Sequence, residues 1–125
     1  MRITINKILD NSIVYANTKY GVLSLKWQGE LPLVNHEYDV EFDINETLYW
    51  NKDIVLSQTE DYLIKSRDNS ISLYGVLESI DSDGYTVLRI DNNIVTFIAK
   101  GVAFKVGSKI EVCVDSITAY PFDYY

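Results

Sequence analysis

Residues 74–90 read Tyr74-Gly75-Val76-Leu77-Glu78-Ser79-Ile80, Asp81-Ser82-Asp83-Gly84, Tyr85-Thr86-Val87-Leu88-Arg89-Ile90. Two runs rich in β-branched, aromatic and aliphatic residues flank four turn formers. Gly84 tolerates positive φ, and the Asp and Ser side chains bond nearby backbone, so the stretch predicts a β-hairpin. Asp91-Asn92-Asn93 then leads into a third strand, Ile94–Ala99. A Gly-containing loop leads to Lys109–Ile117, and a last short segment carries Tyr120, Pro121 and Phe122. Helical periodicity is absent. Five short strands in about 50 residues describe a small barrel.

The same pattern occurs earlier in the chain. A shift of 72 positions lays residues 3–53 on residues 75–125 without a gap. Ile5 then falls on Leu77, Ile8 on Ile80, Tyr15 on Val87, Leu23 on Val95 and Leu25 on Phe97. Val40 meets Val112, Phe42 meets Val114, Trp50 meets Phe122, and Gly29 meets Gly101. The first half accordingly divides into Ile3–Leu9, Ile13–Ala16, Tyr20–Trp27, Tyr38–Ile44 and Thr47–Trp50. The expected fold is all-β: two tandem, packed five-stranded barrels of OB or SH3-like type, at residues 1–55 and 74–125, or one merged β-structure. The connector, residues 56–73, contains Ser57 and Glu60 at capping-box spacing and Lys65 and Arg67 where a short helix would end. Tyr62-Leu63-Ile64-Lys65 reads equally as an edge strand. No Pro/Gly-rich linker separates the halves, so one compact folding unit is expected.

Composition narrows the function. The 125 residues include 18 acidic against 11 basic, for a net charge of −7, which points away from general binding to phosphate backbones or anionic membranes. With 47 % apolar residues the chain has enough material for a core. No apolar run approaches the roughly 20 residues of a membrane span, the start lacks a secretory stretch, and the lone Cys113 fits a reducing compartment, so a cytoplasmic location is expected.

The strongest chemical feature is Glu37-Tyr38-Asp39-Val40-Glu41-Phe42-Asp43-Ile44. Alternation along a strand puts Tyr38, Val40, Phe42 and Ile44 on one face and four carboxylates on the other, about 6.7 Å apart. Glu46 extends the acidic run, and Tyr49 adds an aromatic with a polar tip. Two readings follow. The comb is a solvated face balanced by Arg2, Lys7 or Lys26 on adjacent strands, or it is a docking surface for a basic protein. Trp50 and Phe122 are expected in the core because they share the repeat's apolar register, whereas Tyr124 and Tyr125 are expected to be exposed.

Gly75-Val76 to Ile80-Asp81, Gly84-Tyr85, and Val106-Gly107-Ser108-Lys109-Ile110-Glu111-Val112 together resemble OB-fold barrels of the S1 and cold-shock kind over residues 75–118. That resemblance implies binding of single-stranded nucleic acid through stacking and local positive charge, here on Tyr85, Arg89, Phe97 and Lys100. Asp81, Asp83 and Asp91 surround those residues and oppose it.

Catalytic chemistry has little to work with. A single histidine, His36, forms no metal cluster, and Cys113 lies in no nucleophile motif. Asp81-x-Asp83-Gly84 lacks the further ligands of a calcium loop, and no phosphate-binding glycine loop occurs. No catalytic residue, metal or other cofactor is expected. In overall character the chain is similar to bacterial toxin-immunity proteins, which are small, acidic and Tyr-rich. That resemblance is one of composition and implies an acidic inhibitor whose partner is a basic, nuclease-like toxin. An assembly module without either activity is the remaining expectation.

Overall fold

A computed structural model describes residues 1–10 and 12–122. Tyr124 and Tyr125 lie outside the described residues. Among the described residues eleven strands make up the fold: β1 (Arg2–Asp10), β2 (Ile13–Thr18), β3 (Gly21–Trp27), β4 (Glu37–Tyr49), β5 (Ile54–Leu56), β6 (Leu63–Arg67), β7 (Ser70–Ile80), β8 (Tyr85–Ile90), β9 (Asn93–Lys100), β10 (Lys109–Val114) and β11 (Thr118–Pro121). No α-helix occurs among the described residues. The connector forms the edge strand, β6, rather than a helix. Ser57 spends its hydroxyl on the backbone of Thr59, accepting its N–H and donating to its carbonyl, so it closes a local turn instead of capping a helix.

Five strands close into a barrel in the order β1-β2-β3-β11-β4, with β4 returning to β1 through Arg2↔Asp39, Ile3↔Tyr38 and Thr4↔Glu37. The fifth strand comes from the far end of the chain, where Thr47–Trp50 was expected. β11 lies parallel to β3 (Thr118↔Lys26, Ala119↔Trp27) and antiparallel to β4 (Thr118↔Asp43 to Pro121↔Val40). Thr47–Tyr49 instead continues β4 without a break and pairs in parallel with β9, setting Leu48 opposite Ala99. The remaining strands run β9-β8-β7-β10-β5, with β6 on the free side of the start of β7. Both repeats thus merge into one sheet system.

The 72-residue offset reappears in the pairing register. Thr4↔Asn17 and Ile5↔Ala16 have counterparts in Val76↔Arg89 and Leu77↔Leu88. Ile13↔Lys26 through Thr18↔Gly21 map onto Tyr85↔Ile98 through Ile90↔Asn93. Even the irregularity between Ile5 and Lys7 recurs between Leu77 and Ser79. A bulge bends its strand, so both halves turn the corner of their sheets at equivalent places.

Burial follows the strand alternation. Ile3, Ile5, Val14, Ala16, Leu23, Leu25, Val40 and Phe42 from the first half join Leu77, Leu88, Ile90, Val95, Phe97, Ile110, Val112 and Val114 in one apolar cluster. Leu48, wholly buried, brings β4 into the core beside β9. Leu48→Ala should cost about 2–5 kcal/mol through the cavity it leaves. Urea unfolding should still show a single transition, with amides of β3 and β9 losing hydrogen-exchange protection together.

The two equivalent hairpin turns meet. Tyr20, in the β2–β3 turn, donates its hydroxyl to Asp91 Oδ2 (2.9 Å) in the β8–β9 turn and accepts from Asn93 Nδ2 (3.3 Å). Lys19 Nζ stands 3.5 Å from the same carboxylate. Burial, then the bond to Asp91, pushes the Tyr20 phenol above its usual value of 10.0. Above that value the folded state holds a proton that the unfolded chain has lost, so stability falls as pH climbs. Tyr20→Phe should cost about 0.5–1.5 kcal/mol at neutral pH, from the lost hydrogen bond. It should also flatten the loss of stability as pH climbs above about 10, read from urea midpoints. Some slope will persist, because burial raises the Tyr74 phenol as well.

Candidate functional site

The acidic strand has the expected faces. Val40, Phe42, Ile44 and Leu48 point into the core, while Glu37, Asp39 and Glu41 are exposed and Asp43 is half-buried. Along its acidic part β4 pairs with β1 through Glu37–Asp39, with β11 through Val40–Asp43, and with β9 at Asp43. The carboxylates therefore stand on a fixed backbone at the two-residue strand repeat of about 6.7 Å.

Their neighbours differ in character. Arg2 lies opposite Asp39, with Arg2 Nε 3.3 Å from Asp39 Oδ1. More than half of the Arg2 side chain is exposed, so solvent screens this pair and it adds little stability. Lys7 turns instead to the Tyr15 ring, 5.8 Å from its centroid, and Lys26 is separated from the comb by β11. Glu46 accepts the Asp115 N–H at Oε2 (2.8 Å), which ties the irregular centre of β4 to the end of β10. Tyr49 is exposed, with Lys52 Nζ 5.7 Å from its ring and its backbone N–H donated to Asp53 Oδ2.

Apolar groups flank the comb. A groove of about 540 Å³ runs beside Asp39 and Glu41, and Tyr85, Ile94 and Phe122 line it. Each is well exposed: Tyr85 by 46 %, Ile94 by 58 % and Phe122 by 54 %. Ile98, in register with Tyr85, extends this patch along β9. Ile94 and Ile98 were not legible as surface groups, because Ile94-Val95-Thr96-Phe97-Ile98-Ala99 is apolar on both parities. Only the offset from Leu23 and Leu25 onto Val95 and Phe97 marks which parity faces the core.

Phe122 corrects an expectation. Trp50 is buried and stacks edge-on against Phe104 at 5.1 Å between ring centroids, but its repeat counterpart Phe122 lies at the surface. The two positions diverge because β4 turns at Asn51–Asp53 into β5, whereas Phe122 follows β11 out of the first barrel.

The stacking constellation expected for nucleic acid does not assemble. Tyr85 and Lys100 are exposed, but Phe97 is buried on the opposite face of β9. Arg89 is engaged with Glu78 (Nε to Oε1, 3.4 Å) and donates from Nη1 to the Tyr62 hydroxyl (2.9 Å) and the Asp91 carbonyl (3.3 Å). Cys113 is half-buried beside β5, and its backbone N–H donates to Asp53 O. Among the described residues no three His, Cys, Asp or Glu side chains converge as a metal site. No helix is long and apolar enough to cross a membrane.

Trp50→Ala should cost about 3–5 kcal/mol, as for a buried aromatic, whereas Phe122→Ala should stay within about 0.5 kcal/mol of wild type. Denaturation followed by circular dichroism separates the two. Equal losses would mean that Phe122 packs as Trp50 does.

No protein-family model, curated protein or solved structure matches the chain.

Proposed function

We propose that the chain is an acidic protein-binding inhibitor, of the immunity type, that neutralises a basic, nuclease-like toxin by covering its active site. The observation that carries this reading is the comb of Glu37, Asp39, Glu41 and Asp43 on a strand paired in turn with β1, β11 and β9. A fixed row of carboxylates needs no reordering on association, so its charge acts at full strength during encounter. The spacing suits Lys or Arg side chains that would otherwise contact successive phosphates of a substrate. Glu46 and Tyr49 extend the surface toward the far end of β4, and Tyr49 supplies apolar contact that charge alone lacks.

The partner in this reading is a cationic enzyme encountered in the bacterial cytoplasm, and the inhibitor needs no cofactor and performs no chemistry of its own. Single-stranded nucleic acid is a weaker reading, since burial of Phe97 removes one of the rings on which bases would stack.

Co-expression with the product of the adjacent gene, followed by affinity capture, tests the proposal. The expected partner is basic, toxic when expressed alone, and bound with an on-rate that falls steeply with salt. Glu41→Lys combined with Asp43→Lys should weaken that complex by about 100-fold or more, because like charges would meet across the interface. Unchanged affinity in the double variant removes the comb from the interface. Tight binding of mixed single-stranded oligonucleotides at low salt would overturn the inhibitor reading itself.

A further inference from the structure

The β6 strand fills a slot whose counterpart elsewhere in the molecule is open. Leu63 lies opposite Tyr74 and Ile64 opposite Leu73, and the Ile64 N–H donates to Tyr20 O (3.0 Å). The strand is thus seated between the start of β7 and the β2–β3 turn, with Ile64 buried. The 72-residue offset carries Tyr74 onto Arg2, Leu73 onto Met1, Tyr20 onto Asn92 and Gly21 onto Asn93. Those four counterparts all line the groove beside the acidic comb. Pairing between β1 and β2 begins only at Thr4, so the edge of Met1–Ile3 turned away from β4 has no strand on it among the described residues.

We propose that this groove binds an extended segment of a partner protein by strand addition along Met1–Ile3, taking an aliphatic side chain against Ile94 and Phe122 and Lys or Arg side chains against Asp39 and Glu41. This rests on reading the comb as a protein-docking face and specifies the element that docks there. Strand addition draws affinity from the main chain and specificity from alternate side-chain positions. The internal occupant has the matching chemistry: Leu63-Ile64-Lys65-Ser66-Arg67 pairs two aliphatic residues with two cations. Arg2 offsets part of the local charge through Asp39, and Glu37 and Asp43 continue the negative field along β4. A phosphate-bearing guest is disfavoured by the same carboxylates.

One difference sets the fit. Gly21 leaves room for the Ile64 carbonyl where any Cβ would collide, and Asn93 stands in the equivalent place beside the groove. A guest strand therefore lies farther from the β8–β9 turn than β6 lies from the β2–β3 turn.

The probe is a capped synthetic peptide, Tyr-Leu-Ile-Lys-Ser-Arg, titrated into the isotope-labelled full chain and followed by amide chemical shifts. A second peptide carries Glu in place of Lys and Arg. The basic peptide should shift Arg2, Ile3, Asn92 and Ile94, and the acidic one should not. Ile94→Asp should weaken binding about tenfold or more, and Asn93→Gly should strengthen it. Failure of the basic peptide to bind at millimolar concentration overturns the groove. Shifts confined to Glu37, Asp43 and Glu46, unaffected by Ile94→Asp, also overturn the groove but leave the comb as a docking face. Groove shifts that persist at full strength in the Glu41→Lys, Asp43→Lys variant support strand addition and overturn the role assigned to charge.

Discussion

Everything in this fold depends on how the edges of β4 are satisfied. An unpaired strand edge exposes a row of N–H and carbonyl groups that must find partners. β4 is 13 residues long and serves the two parts of one sheet system in succession. Its first part closes the barrel against β1 and β11, and its last part pairs with β9. The barrel's fifth strand, β11, lies at the opposite end of the chain from the strands it completes. Neither half has a complete set of partners without the other, and the shared cluster of buried residues reflects that dependence.

The exchange also accounts for the contact between the two hairpin turns. Related halves that trade strands bring equivalent features to their common boundary, and there Tyr20 meets Asp91 and Asn93. The repeat is imperfect where the second half departs from it. Residues 109–121 are interrupted between β10 and β11, whereas their counterparts run continuously as β4. Among the described residues no strand holds beside β1 the place that β6 holds beside β7, and the groove beside the acidic comb is open there.

For the candidate site, rigidity matters as much as charge. Carboxylates on a loop would relax toward local cations, but those of β4 keep their spacing because strand pairing holds the backbone at each of them. Arg2 meets the comb in register, at Asp39, while Lys7 turns to Tyr15. The exposed Tyr85, Ile94 and Phe122 beside the comb add apolar contact, which lets a docking surface hold a partner that charge has attracted.

Local pattern alone determined the all-β character, the repeat, the hairpin at Asp81–Gly84 and the two faces of Glu37–Ile44. Each depends on side-chain alternation and turn chemistry within a few residues. The partner of each strand was not legible, because Thr47–Trp50 and Thr118–Pro121 have the same local pattern whichever barrel they enter. Nor was the placement of Phe97, Ile98 and Phe122, since a strand apolar on both faces, or a residue just past a strand, does not declare its inward side. Tertiary structure decided these points through edge pairing and core packing, which join residues distant in the chain and therefore leave no signature in any short stretch of it.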